Sequence, residues 1–334
     1  MLTAILTILL FLILITPHEF GHFIVAKLCG VQVNEFAIGM GPAIWQKQKG
    51  ETLYSIRAIP LGGYNAMEGE NEESDNPRAF NNKSVPQKLA VLFAGAGMNV
   101  IVAIILLSFS ISASGIVMQP LELVREGSPA EAAGLQAGDT ITAINGTPTD
   151  SWSDVVTGID GCEAGVPMEV EVRRGKETFT TTLVPEIGED GRTVIGIQAT
   201  ISHSVLLGFR YGVPATWEMN KLMLESFVSM FRNGVSKDDV SGPVGIVTLV
   251  NETSQYGISS FLYLAALISL NLAIINLLPF PALDGGRIIF VIIRKITGNM
   301  ITDKIEGYVH MVGMVLLLTL FLFITWNDIS RLFS

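Results

Sequence analysis

The 334-residue sequence holds only two cysteines, Cys29 and Cys162, so neither a disulfide framework nor a cysteine-built metal site organises it. Charge is also scarce. Asp, Glu, Lys and Arg make up 16% of residues against 49% hydrophobic, a balance that excludes a disordered chain. Lysine and arginine number 21 against 31 acidic residues, so a general electrostatic grip on nucleic acid is excluded and no nucleic-acid partner is expected. No Lys or Arg precedes the first apolar run and no small-x-small cleavage site follows it, which argues against a cleavable signal peptide.

What the sequence has instead is long apolar runs. The first, Leu2 to Thr16, would reach roughly 22 Å as a helix, short of the ~30 Å hydrocarbon core of a bilayer. A span to about Leu28 therefore requires that the polar insert Pro17-His18-Glu19-Phe20-Gly21-His22 lie within it. Further spans are expected at about Leu89–Ser112, about Phe261–Leu278 continuing irregularly to Ile293, and about Val309–Trp326.

Residues 116–260 hold 9 Lys+Arg and 19 Asp+Glu, while the rest of the chain holds 12 of each. The segment Lys27–Lys88 carries 7 Lys+Arg in 62 residues and Arg287–Lys304 carries 4 in 18. The positive-inside rule then makes those two segments cytoplasmic and the acidic region extracytoplasmic. The expected fold class is a polytopic α-helical membrane protein of four transmembrane helices, with a membrane-associated β-hairpin loop and an inserted extracytoplasmic domain. It divides as 1–115, 116–200, 201–260 and 261–334.

Within the cytoplasmic segment Val31–Ile38 and Thr52–Ile59 read as strands; they either offer an edge to an extended peptide or merely seal the bundle. Asn71–Asn82 is polar and is expected to be mobile. Residues 116–200 read as a β-rich domain with strands at Leu121–Arg125, Thr140–Asn145, Met168–Arg173, Thr178–Val184 and Thr193–Gln198. Its Gly127-Ser128-Pro129-Ala130, Ala133-Gly134-Leu135, Gly138-Asp139 and Ile144-Asn145-Gly146 resemble a PDZ domain of the bacterial protease type. Val205–Asn233 has helical spacing and reads as an amphipathic connecting helix, on the membrane face or packed on protein.

His18-Glu19-Phe20-Gly21-His22 is an H-E-x-x-H motif. On a helix the i, i+4 spacing brings both imidazoles to one face, where they can bind one zinc ion while Glu19 takes a proton from its water. Two histidines and a glutamate inside a span are costly unless paired, and one metal accounts for all three. Catalytic zinc usually takes a third protein ligand. The best candidate is Asp284, in Asn276-Leu277-Leu278-Pro279-Phe280-Pro281-Ala282-Leu283-Asp284-Gly285-Gly286, where two prolines break the third span. Asp284 could also N-cap a helix starting at Gly285, a role that does not exclude the first; His203 and His310 are competing donors that read better as structural.

These pieces together resemble the site-2 proteases, specifically the bacterial RIP zinc metalloproteases of the RseP type with a single PDZ domain. The resemblance also covers Phe36 to Pro42, Ile59 to Tyr64, Gly95 to Asn99 and Ser241 to Ile246. Ala96, where the family pattern has Pro, and Pro17, where an aliphatic residue is commoner, depart from it. The resemblance implies one Zn²⁺ per chain on His18, His22 and Asp284, with Glu19 as general base. It further implies that Asn276 holds unwound substrate and that Ile59, Pro60, Leu61, Gly62 and Gly63 present it an edge strand. The activity implied is hydrolysis of peptide bonds within the transmembrane segments of single-span membrane proteins, such as anti-sigma factors or remnant signal peptides. The setting implied is the cytoplasmic membrane, with the active site in the cytoplasmic half of the bilayer. A PDZ adaptor on a metal-stabilised anchor and a metal transporter are the competing classes; the first predicts that Glu19 is dispensable, the second that polar positions spread through several spans.

Overall fold

The computed structural model describes residues 1–70, 74–234, 242–298 and 302–332. The chain divides into two compact units, Met1–Ser110 with Phe209–Ser334, and Ile111–Gly208.

The first unit is helical with one long hairpin. Helix α1 (Leu2–Leu28) runs unbroken through Pro17, which withholds one amide without ending the helix. Two long strands, β1 (Val33–Lys49) and β2 (Thr52–Met67), follow. Both are about twice as long as the expected strands, and the hairpin doubles back on itself. Glu35–Ile38 lie beside Ala66–Gly63 with numbers running in opposite senses, and beside Leu53–Ile56 with numbers rising together. Lys49 to Trp45 pair with Thr52 to Ile56. Four short strand segments thus form one sheet, whose margins are Ala43–Lys49 and Gly63–Met67.

Of the polar stretch expected to be mobile, residues 71–73 lie outside the described residues. The remainder is tied down: Phe80 is buried, its N–H donates to Glu68 O, and Asn82 Nδ2 donates to Ser74 O and Asn76 O. Phe80 joins Ala26, Val31, Val33, Val91, Leu92 and Ile288 in one apolar cluster, so this loop is anchored by burial.

Helix α2 (Val85–Ser114) crosses α1 at backbone distance. A Cβ at Gly21 would overlap the carbonyl oxygen of Ala94, the close approach that small residues permit between apolar helices.

The second unit comprises β3 (Ile116–Val124), α3 (Pro129–Ala132), β4 (Thr140–Ile144), β5 (Thr147–Pro148), α4 (Trp152–Asp160), β6 (Met168–Arg174), β7 (Glu177–Leu183), β8 (Glu186–Ile187), β9 (Thr193–Val194) and β10 (Ile197–Ser202). Its sheet runs β10-β3-β4-β6-β7, with β5 beside β4 and a separate β8-β9 ribbon. Leu121, Ile141, Val155, Val170, Val172 and Ile195 are among its core residues. The strand expected at Thr193–Gln198 is split between β9 and β10 by Gly196, at φ +81°.

The first unit resumes at Phe209, within α5 (Val205–Asn233), the expected amphipathic helix, and continues with α6 (Pro243–Gln255), α7 (Ile258–Asn276), α8 (Asp284–Thr297) and α9 (Asp303–Leu332). Ser241, the first residue of the Ser241–Ile246 motif, lies outside the described residues. The buried face of α7, including Leu264, Ala265, Ala266 and Leu270, sits in the bundle, and Ser269 Oγ donates to Asn99 O on α2 at 2.8 Å. By contrast, α9 exposes Leu316, Leu318, Leu320, Phe321, Leu322 and Phe323. Such an apolar surface suits lipid rather than water.

Helices α1, α2, α7 and α9 are long and apolar enough to cross a membrane. The second unit, by contrast, is β-rich.

Candidate metal centre

The helical period of α1 sets His18 and His22 one turn apart, and the break after α7 returns Asp284 to them from the far end of the sequence. The Nε2 atoms of the two histidines are 3.2 Å apart, and Asp284 Oδ2 lies 3.4 Å from His18 Nε2 and 3.2 Å from His22 Nε2. All three side chains are largely buried, at 12%, 9% and 18% exposure. Asp284 is the first residue of α8, whose N-cap position is held by Leu283 without a side-chain cap.

The donor set decides what fits. His22 Nδ1 donates to Val91 O at 2.8 Å, so its Nε2 carries a lone pair facing the carboxylate. Asp284 Oδ2 accordingly has no hydrogen-bond partner. Acceptors gathered this closely repel unless a cation lies among them. Tetrahedral coordination with Zn–N and Zn–O bonds of about 2.0–2.2 Å sets neighbouring ligand atoms roughly 3.3–3.6 Å apart, close to the three observed separations. The residues fit zinc. Among the described residues this is the one such group of His, Cys, Asp and Glu.

Two asparagines flank His18. Asn99 Nδ2 is 3.4 Å from His18 Nδ1, and Asn276 Nδ2 is 3.4 Å from both ring nitrogens. Asn276 is the last residue of α7, beside the centre. Asn99 is fully buried and its Oδ1 has no partner. Turning that amide end for end gives the His18 Nδ1–H an acceptor and leaves Nε2 free for a metal.

Gly95 sits one turn before Asn99. A Cβ there would overlap His22 Nε2 and lie 2.6 Å from His18 Cε1. The sequence matched Gly95 and Asn99 to a family pattern but assigned them no part in the site; their polar and small character inside an apolar span was the available signal.

Glu19 is close enough to His18, His22 and Asp284 to interact with each electrostatically. Of the expected edge-strand residues, Gly63 lies beside Glu19: its Cβ position is 3.6 Å from Glu19 Cγ. Ile59 is exposed and pairs with Met40, and Gly62 packs against the Met40 side chain. Neither competing donor joins the centre. His203 Nδ1 bonds Ser112 O at 3.0 Å, and His310 Nδ1 accepts from the Ala282 N–H at 2.8 Å.

A sequence model of peptidase family M50 matches residues 6–320. A Clostridium acetobutylicum protein, provisionally named a zinc metalloprotease, is 37% identical over 328 residues, covering 97% of this chain and 96% of that protein. The regulator of sigma-W protease RasP of Bacillus subtilis is 30% identical over 419 residues, covering 99% of each. Among solved structures, the PDZ domain of an SdrC-like protein of Listeria innocua covers 24% of this chain and 90% of its own, at 27% identity and a TM-score of 0.23.

Proposed function

The chain belongs to peptidase family M50, the site-2 zinc metalloproteases, and we propose that His18, His22 and Asp284 hold its zinc while Glu19 moves the protons of peptide hydrolysis. It is an intramembrane zinc metalloprotease acting in regulated intramembrane proteolysis. The observation that carries the residue assignment is the convergence of three ligand atoms within 3.2–3.4 Å of one another, with Glu19 beside them.

Bound by these three residues, zinc would supply Lewis acidity toward the scissile carbonyl and the attacking water. Glu19 accepts the proton of that water and delivers it to the leaving amine. A helical substrate hides its carbonyls in its own hydrogen bonds and must unwind to be cut. The β2 edge from Ile59 to Gly63 replaces those bonds by strand addition, and Gly63 brings the paired backbone to Glu19 without a side chain between them. The Asn276 amide holds the unwound segment beside His18.

The charge distribution supports an active site in the cytoplasmic half of the cytoplasmic membrane and residues 116–200 on the opposite side. In this reading 1–115 and 261–334 carry the chemistry, 116–200 is the PDZ domain and 201–260 connects. The substrates are single-span membrane proteins, and the name of the Bacillus subtilis relative points to regulators of a sigma factor.

The test is cleavage of a single-span reporter by the purified protein and its Glu19→Gln variant, with bound zinc measured on both. Cleavage lost with zinc retained is the expected result. Cleavage by Glu19→Gln at the parent rate would remove Glu19 from the mechanism.

A further inference from the structure

The third ligand hangs from an irregular loop, and the local bonding of that loop is incomplete. Leu283 N–H donates to Phe280 O at 3.2 Å, closing a turn over Phe280-Pro281-Ala282-Leu283. Pro281 occupies the position where proline presets the turn, and Ala282, at φ +77°, occupies the one that a type II turn reserves for glycine. A left-handed alanine is strained, so the turn needs outside support to hold that form.

Helix α9 provides it at two points one turn apart. His310 Nδ1 accepts the Ala282 N–H at 2.8 Å, the amide that points out of the turn. Gly313 admits Pro281 against the helix backbone: a Cβ there would lie 2.5 Å from both Pro281 Cβ and Pro281 O. The His310 ring is itself fixed. It lies 5.5 Å from the Phe290 ring, and its Nε2 faces Glu306 Oε1 at 3.5 Å. The other oxygen of Glu306 pairs with Arg294 of α8 at 2.6 Å.

We propose that His310 is a positioning residue for zinc: by accepting the Ala282 N–H it pins the strained turn two residues ahead of Asp284, and so sets where the third ligand stands. The inference rests on the metal assignment made above. What matters is an acceptor at the place of Nδ1, and an asparagine side chain carries one, Oδ1, at the same distance from its backbone. Leucine fills similar space and carries none. In the His310→Leu chain the turn loses its outer support and Asp284 becomes mobile. Ala282→Gly in that background removes the strain that the pin resists.

The experiment is zinc affinity of the full chain in detergent, by competition with a chromophoric chelator, alongside thermal unfolding of the zinc-free proteins. His310→Leu is expected to bind zinc roughly 10–100-fold more weakly, the usual effect of losing a group that orients a ligand. His310→Asn should restore most of that loss, and Ala282→Gly added to His310→Leu should restore part. Unchanged affinity in His310→Leu would overturn the proposal, as would His310→Asn as weak as His310→Leu. Should His310→Leu fail to fold, the comparison of His310→Asn with His310→Gln, whose acceptor lies one bond too far, decides in the same way. A parent chain that binds no zinc would instead refute the metal assignment itself.

Discussion

A single methyl group at position 95 would occupy the space of the metal site, since its Cβ would overlap the very nitrogen of His22 that faces Asp284. Gly95→Ala should therefore weaken zinc binding by roughly tenfold to a hundredfold, the effect of about 1–3 kcal/mol of forced displacement. Gly97, two residues along the same helix, has nothing within 4 Å of its Cβ position, so Gly97→Ala should bind zinc like the parent. Equal affinities of both variants in a chelator titration would refute this account of Gly95. The contrast also shows what a sequence discloses at this scale. His18, Glu19 and His22 were legible because helical spacing alone sets their common face, and Asp284 because two prolines mark the broken helix that carries it. Gly95 resembles Gly97 on paper. Only the distant pairing of α1 with α2 tells them apart, just as only the packing of α9 on the Pro281 turn reveals the task of His310.

Elements with a local cause were read closely: α1, α2 and α5 from their apolar pattern, and β4, β6 and β7 from alternation between turn residues. Those defined by distant partners were not. The strands β1 and β2 extend well past their apolar cores because each segment finds a neighbour in the doubled hairpin. Helix α6 carries Asn251, Thr253 and Ser254, and the Asp328 carboxylate of α9 accepts its Gly245 N–H at 2.8 Å. Within the β-rich unit, Gly138-Asp139 entered the sequence reading only as part of a resemblance to PDZ domains, yet Asp139 braces two elements. Its side chain is 1% exposed and receives Arg174 Nε from the end of β6 at 2.7 Å and the Gln136 N–H at 2.8 Å. Burial alone would raise its pKa, but the Arg174 hydrogen bonds, the Gln136 amide and the Arg174 charge together hold it below 3.8. A depressed carboxylate contributes stability that is present above its unfolded value and is lost as pH falls through its folded one. Asp139→Asn should cost this unit about 1–3 kcal/mol at neutral pH. The gap to the parent, read from thermal or denaturant unfolding, should close as pH drops from above about 4 to well below it. A gap independent of pH would mean that the carboxylate charge does not matter there.

Across the whole molecule, the net negative charge is confined to residues 116–260, whereas the segments between the other spans carry the dense lysines and arginines. Lysine and arginine resist transfer across the membrane, and this asymmetry supports the proposed orientation, with those segments in the cytoplasm. The same logic sets where the protease can act. His22 lies within five residues of Lys27, the first lysine or arginine of the chain, in the last turn of the N-terminal span, so the proposed zinc site lies near the cytoplasmic surface if Lys27 faces that side. The scarcity of cysteine makes this orientation measurable. With Cys29 and Cys162 both replaced by serine, a single cysteine can be placed at Lys176, exposed between β6 and β7, or at Lys47, exposed on β1. In intact cells a membrane-impermeant maleimide should label Lys176→Cys and spare Lys47→Cys, and disrupting the membrane should expose the second. The reverse pattern would invert the protein, moving the proposed edge strand and Glu19 to the outer face and requiring substrates to be cut from that side. Labelling of both in intact cells would mean that the hairpin is reachable from outside and that the charge rule does not govern this chain.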